Sequence, residues 1–169
     1  VTYIDGVKVS TKEVSRVTVK EPVDEKVQVG TKKNTGYTGP VISYGGRFVW
    51  PASGGATFIT SYYGKRSLTG YHYGIDITRP GGRSTGAPVL AAESGTVKHA
   101  GPRGSYGYCV IISHGNGLET LYAHMVAGSL RVTAGQKVQR GQQLGQIGST
   151  GFVTGPHLHF EVMVNGTKV

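Results

Sequence analysis

Glycine punctuation constrains this chain more than any other feature of its sequence. Twenty-eight of its 169 residues are glycine. They break the apolar residues into short runs: Pro88-Val89-Leu90-Ala91-Ala92, Gly95-Thr96-Val97, Val110-Ile111-Ile112, Leu121-Tyr122-Ala123 and Phe160-Glu161-Val162. Such runs are too short for helices and are rich in β-branched and aromatic residues, which suit a pleated, half-buried surface. Glycine between them supplies tight turns. The predicted fold class is all-β: an antiparallel β-sandwich or open, barrel-like sheet, preceded by a small β module.

Three segments are expected. In residues 1–30, Val1-Thr2-Tyr3-Ile4, Asp5-Gly6 and Val7-Lys8-Val9-Ser10 read as a hairpin, because Asp-Gly accepts the positive φ angles of a two-residue turn. Further strands are expected at Val14 to Val19 and Val27 to Val29. The unit is too small and polar to bury a core alone. The phrase Asp5-Gly6-Val7-Lys8-Val9-Ser10, with Val14-Ser15-Arg16 and Lys20-Glu21-Pro22-Val23, resembles the last part of a G-five domain. These are extracellular β modules found beside wall-acting enzymes, and the resemblance implies adhesion or glycan binding. Residues 31–46 carry Asn34-Thr35-Gly36, Thr38-Gly39-Pro40 and Gly45-Gly46 and read as a linker. That linker could lie across a cleft in the following domain, residues 47–169. Val1 enters in mid-pattern, so the natural chain is expected to begin earlier.

Charge narrows the setting. The formal net charge is +9. Residues 47–169 hold eleven Lys and Arg against Asp76, Glu93, Glu119 and Glu161. A basic, acid-poor domain points to a polyanionic environment, either nucleic acid or an anionic cell wall. Neither an aromatic–basic stripe for single strands nor a recognition-helix pattern is present, so no nucleic-acid partner is expected. Cys109 is the only cysteine. It sits within Tyr108-Cys109-Val110-Ile111-Ile112, without an activating neighbour, and reads as a small core residue. No apolar stretch approaches the ~20 residues of a membrane-spanning helix.

The chemistry is concentrated in histidines. His72-Tyr73-Gly74-Ile75-Asp76 places an imidazole and a carboxylate four residues apart. Gly74, Ile75 and Ile77 oppose a helix there, so the chain is expected to fold at Gly74 and bring both side chains to one point. Both are ordinary zinc ligands, although chance spacing also produces this pattern. His157-Leu158-His159-Phe160-Glu161-Val162 alternates with strand period, with His157, His159 and Glu161 on one face and Leu158, Phe160 and Val162 in the core. Two imidazoles on one face suit a metal or a shared catalytic task, or else a solvated pair. In Thr120-Leu121-Tyr122-Ala123-His124 the same alternation predicts Leu121 and Ala123 inward, with Tyr122 and His124 opposite.

Taken together, His72-x-x-x-Asp76, Leu121-Tyr122-Ala123-His124, Gly148-Ser149-Thr150-Gly151 and Gly155-Pro156-His157-Leu158-His159-Phe160-Glu161 resemble the lysostaphin-type, or LytM-like, metallopeptidase family (metallopeptidase family twenty-three). Connecting phrases agree: Trp50-Pro51, Ser61-Tyr62-Tyr63-Gly64-Lys65-Arg66 and Gly141-Gln142-Gln143-Leu144-Gly145. The resemblance runs from about Phe48 to Val169. It implies a zinc-dependent endopeptidase that hydrolyses stem peptides or cross-bridges of bacterial peptidoglycan. A catalytically silent, regulatory or wall-binding relative is the alternative. His72, Asp76 and His159 would bind one zinc ion, with His124 and His157 as catalytic acid and base in either order. The resemblance further implies an extracellular, wall-associated protein, and we expect a monomer.

The remaining candidates carry lesser expectations. Glu161 lies about 6–7 Å beyond His159 at ~3.3 Å per residue and is expected to support the site rather than act as its base. His99 and His114 read as polar residues flanking turns. Tyr71, Tyr73 and Tyr122 could line the cleft. The stretch Gly148 to Gly155 lacks a Gly-Lys-Ser/Thr ending and reads as a loop walling a narrow groove, not a phosphate loop.

Overall fold

The computed structural model describes residues 2–4, 7–10, 47–53, 57–66 and 70–169. The predicted strands at Val14 to Val19 and Val27 to Val29, and the linker at 31–46, lie outside the described residues. The hairpin is present. Strand β1 (Thr2–Ile4) pairs antiparallel with β2 (Val7–Ser10), and Ile4 opposes Val7. That register leaves two residues, Asp5 and Gly6, to connect the strands, the loop length that Asp-Gly serves best.

Twelve further strands follow: β3 (Phe58–Ser61), β4 (Gly64–Arg66), β5 (Gly70–His72), β6 (Ile75–Thr78), β7 (Pro88–Leu90), β8 (Gly95–Pro102), β9 (Tyr108–Gly115), β10 (Leu118–Met125), β11 (Lys137–Val138), β12 (Gln143–Gln146), β13 (Leu158–Val164) and β14 (Thr167–Lys168). The only helical turns among the described residues are short 3-10 segments at Pro80–Gly82 and Gly104–Tyr106. No described helix is long and apolar enough to cross a membrane. The principal sheet has eight strands, ordered β11-β8-β9-β10-β13-β6-β3, with β14 pairing β13. Two ribbons, β7–β12 and β4–β5, complete the domain. Every pairing is antiparallel, as the punctuated sequence predicts.

The core lies between one face of the sheet and the β7–β12 ribbon. Val97, Val110, Ile112, Tyr122, Leu158, Phe160 and Ile77 come from the sheet, and Val89 and Leu144 from the ribbon. Leu158 and Phe160 face this core, as the alternation in β13 predicts. The Tyr122 and Phe160 rings pack at 5.3 Å. Burying a side chain of this size contributes about 1.5–3 kcal/mol, which favours one register of β13 over a one-residue slip.

Strand β10 departs from the expected alternation. Tyr122 is fully buried in the main core, and Leu121 and Ala123 point to the opposite face. There they form a second, smaller cluster with Cys109 and Ile111, backed by Tyr106 and Met163. The expectation that Tyr122 could line the cleft is therefore corrected. Its hydroxyl accepts the Ala92 N–H at 2.8 Å and shares a 2.9 Å hydrogen bond with Thr120 Oγ1. Both faces of β10 are covered, so its polarity pattern does not report which face carries the site. Cys109 is buried as expected, and burial pushes its thiol up to about 11.

His114 flanks a turn as expected, at the end of β9 before Asn116-Gly117, whereas His99 lies inside a strand. His99 lies inside β8, at a register irregularity between Val97 and His99, and its Nε2 is 3.2 Å from the Gly101 carbonyl. His114 lies near the end of β9. Its Nδ1 donates to Ser94 O at 2.9 Å and its Nε2 is 2.8 Å from Thr120 Oγ1. His114 thus ties the β7–β8 connection to β10, far along the sheet from the other histidines.

Candidate active site

The candidate site is assembled from three strand ends and a bend. His159 on β13 stands directly opposite Asp76 on β6 in the antiparallel register. Directly opposed residues have Cβ atoms about 4.5–5.5 Å apart, so the pairing itself brings imidazole and carboxylate together. His72 ends β5 and reaches the same point through Gly74. The reason for glycine there is close approach: a Cβ on Gly74 would meet Phe160 O at 2.4 Å, His159 Cε1 at 2.9 Å and Glu161 Cγ at 3.0 Å.

The three ligand atoms form a small triangle. His72 Nε2 is 3.1 Å from Asp76 Oδ1 and 3.1 Å from His159 Nδ1, and His159 Nδ1 is 2.9 Å from Asp76 Oδ1. Bonds of about 2.1 Å in tetrahedral geometry give edges of about 3.4 Å, so a modest expansion fits a zinc-sized ion. The outer hydrogen bonds agree. His72 Nδ1 donates to the Tyr62 carbonyl at 2.9 Å, and His159 Nε2 donates to Glu161 Oε1 at 2.9 Å. With a single proton held outward, each ring presents a lone pair inward; a second proton on His159 Nδ1 would be donated to Asp76 Oδ1 instead. Three acceptors converge on one point, an arrangement that repels itself without a cation. The donor set fits a divalent metal, and imidazoles held by a carboxylate or carbonyl are the usual support for one.

Charge at the triangle favours a cation as well. Burial alone would raise the Asp76 carboxyl, but the His159 hydrogen bond and the neighbouring His157 and His72 outweigh it and hold the group at about 2. Arg66 Nη2 donates to Asp76 Oδ2 at 2.8 Å, leaving Oδ1 for the triangle. Burial opposes a proton on His159, yet Asp76 and Glu161 outweigh burial and raise its pKa. Burial lowers His72. The position between Asp76 and Glu161 thus stabilises positive charge, which a metal supplies in exchange for a proton.

Two further histidines stand beside the triangle. His124 and His157 have ring centroids 4.8 Å apart, and His124 is 5.8 Å from His159. His124 reaches this face by an unusual backbone conformation. Its φ is +61°, and the β9–β10 register shifts between Tyr122 and Met125. Without that irregularity, strand alternation would turn His124 away from the face of Ala123. Positive φ costs about 1–3 kcal/mol in a residue other than glycine and recurs at functional positions. His124 Nδ1 donates to Thr150 O, and His157 Nδ1 to Gly155 O, each at 2.9 Å. Both Nε2 atoms point away from these carbonyls, and that of His157 lies 3.5 Å from Asp76 Oδ1. Burial pushes His124 down to about 4, so its imidazole is neutral near pH 7.

All five sequence-predicted residues meet here. Glu161 does so too, as a partner of His159. It is 1% exposed, and its Oε1 accepts from His159, from Tyr106 at 2.9 Å and from Lys168 at 3.1 Å. Burial opposes its charge, but those three hydrogen bonds hold its pKa down. Arg66, Tyr106 and Lys168 were missed as site residues. Arg66 lies in the quoted phrase Ser61 to Arg66, but nothing marks its partner as Asp76, while Tyr106 and Lys168 carry no local signal. The Gly148–Gly155 loop walls the groove: Thr150 holds His124, and Gly155 and Thr154 line a cavity of about 410 Å³ with Asp76, Arg66 and His157.

Three convergent ligand-type side chains beside two further imidazoles on an antiparallel sheet have the donor set of a hydrolytic metal site. The comparisons agree. Residues 70–169, more than half of the chain, match Peptidase family M23, and the chain belongs to that family. Residues 1–32 match the G5 domain. The chain is 46% identical over 98 residues to the DD-carboxypeptidase/endopeptidase Mpg of Neisseria meningitidis, a match covering 58% of this chain and 21% of Mpg. It thus spans about a fifth of that relative's length. The catalytic domain of lysostaphin from Staphylococcus simulans superposes with a TM-score of 0.59 at 33% identity, over 66% of this chain and 86% of that domain. A zinc-containing peptidase from Vibrio cholerae gives a TM-score of 0.58 at 36% identity, over 66% of this chain and 35% of that one.

Proposed function

We propose that this M23 peptidase is a zinc-dependent endopeptidase that hydrolyses peptide bonds in the stem peptides or cross-bridges of bacterial peptidoglycan, acting outside the membrane at the cell wall. The observation that carries this reading is the convergence of His72, Asp76 and His159 on one point beside two further imidazoles, His124 and His157, the latter with its Nε2 3.5 Å from Asp76 Oδ1. Zinc bound there supplies Lewis acidity toward a carbonyl oxygen and lowers the pKa of water toward ~7.

The chain's own residues do the rest. Glu161 and the Tyr62 carbonyl hold the two ligand imidazoles in orientation and tautomer. Arg66 fixes the Asp76 carboxylate. Of His124 and His157, one accepts the proton of the attacking water at Nε2. The other, when it carries a proton at Nε2, stabilises the developing oxyanion or gives that proton to the leaving amine. Acid–base assistance of this kind contributes roughly 10²–10⁴-fold. We assign residues 47–169 to the peptidase unit and residues 1–30 to the end of a G5 module. Relatives support the substrate class: Mpg is a DD-carboxypeptidase/endopeptidase, and a Vibrio cholerae relative, 42% identical over 98 residues, is a peptidoglycan DD-endopeptidase.

The test is a digest of purified peptidoglycan with products identified by mass spectrometry. It compares the intact protein, a chelated sample and His124→Ala. New peptide ends in the first sample alone are the expected result. No cleavage of any wall type by protein carrying one zinc ion would overturn the reading.

A further inference from the structure

The described surface carries one feature that the hydrolytic site does not use. Tyr63, Tyr71 and Tyr73 are 38%, 46% and 48% exposed and stand side by side. The Tyr63 and Tyr71 rings meet edge to face at 5.3 Å, and Tyr71 and Tyr73 tilt against one another at 5.0 Å. Tyrosines that merely fill surface do not stack in series. Aromatic side chains bury about 150–250 Å² each, so leaving three in contact and in water forgoes a large stabilisation.

This row is joined to the metal triangle. Tyr71 and Tyr73 flank His72 in sequence, and strand alternation turns the His72 ring inward and the two tyrosines outward. Lys168 Nζ lies 4.8 Å from the Tyr73 ring centroid and 5.4 Å from that of Tyr106, and it also bonds Glu161. Tyr63 is pinned as well, since its hydroxyl donates to the Lys168 carbonyl at 3.1 Å. The row is therefore a fixed extension of the site.

The chemistry of the row selects its occupant. It offers flat π faces rimmed by hydroxyls and one ammonium. A pyranose ring is the complement: C–H bonds on one face, hydroxyl and amide groups around the edge. Tyrosine also supplies this contact at low entropic cost, having only two side-chain torsions.

We propose that Tyr63, Tyr71 and Tyr73 form a stacking platform for the amino-sugar glycan strand from which the substrate peptide hangs. Glycan on the platform holds the stem peptide so that its scissile bond enters the groove. The proposal rests on the peptidoglycan reading for its biological sense, but not for its test.

Peptide-free glycan strands are titrated into the full chain and into Tyr71→Ala/Tyr73→Ala, Tyr71→Ala alone, and Tyr71→Phe/Tyr73→Phe, each checked for equal zinc content. The same proteins are assayed on glycan-attached and on sugar-free cross-linked peptides. The double alanine variant should bind glycan roughly tenfold more weakly, with the phenylalanine pair close to wild type. Its KM should rise on the glycan-attached substrate only. If the double variant loses fold or zinc, the single Tyr71→Ala variant decides by the same readouts. Absent glycan binding by wild type, or unchanged affinity in the alanine variants, overturns the platform. So does an equal KM rise on both substrates, which would give the tyrosines to the peptide. If wild type cleaves neither substrate, the peptidase reading fails, and the glycan titration still decides this one.

Discussion

Replacing Gly74 by alanine tests whether backbone approach, rather than turn conformation, builds the metal triangle. Gly74 is not in the left-handed region, so alanine suits its backbone angles. The added carbon would nevertheless lie 2.4 Å from Phe160 O. That oxygen is part of β13 and cannot rotate away, so β13 must move relative to the β5–β6 bend. Overpacking of this kind costs about 1–3 kcal/mol. At roughly 4 °C per kcal/mol for a domain of this size, Tm should fall by about 4–12 °C. The second contact predicts a functional signature. His159 Cε1, 2.9 Å away, is bonded to Nδ1, the atom at the corner of the triangle. Displacing that ring spreads the ligand set, and zinc affinity should fall at least about tenfold. The control is Gly155→Ala, where an added carbon meets nothing within 4 Å. It should change stability by less than about 0.5 kcal/mol. Thermal melts of metal-free protein and zinc competition with a chromophoric chelator give both readouts. A Gly74→Ala protein with wild-type Tm and wild-type zinc affinity would refute the reasoning.

Three further outcomes are expected. Glu161→Gln keeps the shape but weakens the acceptor at His159 Nε2, so zinc affinity should drop about 10–100-fold in a chelator competition, with little change in far-UV spectrum. His114 is depressed by burial, with the Ser94 carbonyl opposing that shift. The unfolded chain therefore binds its proton more readily. Stability from His114 is complete above about pH 6.5 and is lost as pH falls below that value. Tm measured from about pH 7.5 to about pH 5.5 should decline less in His114→Gln than in wild type. Cys109, fully buried with its thiol near 11, should resist alkylation in the native protein and react at once in denaturant.

The sequence disclosed the parts of the site that follow strand periodicity. In β13 the alternation His157, His159, Glu161 against Leu158, Phe160 holds, because one face packs on Tyr122 and the other faces the groove. The hairpin register was legible from Asp5-Gly6 for the same kind of reason, since turn chemistry is local. In β10 the alternation misled. Leu121 and Ala123 are as apolar as core residues because they pack with Cys109 and Ile111 in a second buried cluster on that face. His124 joins them only through a left-handed residue, for which histidine carries no sequence mark. Arg66 reaches Asp76 across 10 residues of chain, Tyr106 reaches Glu161 across 55 and Lys168 reaches it across 7, and these pairings are set by how the strands are ordered and turned, not by any pattern within one strand.

The sheet order also explains how four imidazoles share one groove. With centroids of 5.0 Å for His72 and His159 and 4.8 Å for His124 and His157, they cannot all be protonated without strong repulsion. Each avoids it by giving one N–H to an outward acceptor: Tyr62 O, Thr150 O, Gly155 O and Glu161 Oε1. Three rings turn Nε2 inward; His159 alone turns Nδ1, because Glu161 lies two residues on along the same strand face. The His72 and His159 nitrogens then face the Asp76 carboxylate within one small volume, an arrangement that suits a cation, with His124 and His157 beside it. Three of the four acceptors are backbone carbonyls, fixed by the fold and beyond the reach of a side-chain change. Glu161 is the exception, so the tautomer of His159 is the one element of this arrangement that a single substitution can release. Because Lys168 binds Glu161 as well as covering Tyr73, the same carboxylate also couples the triangle to the tyrosine row.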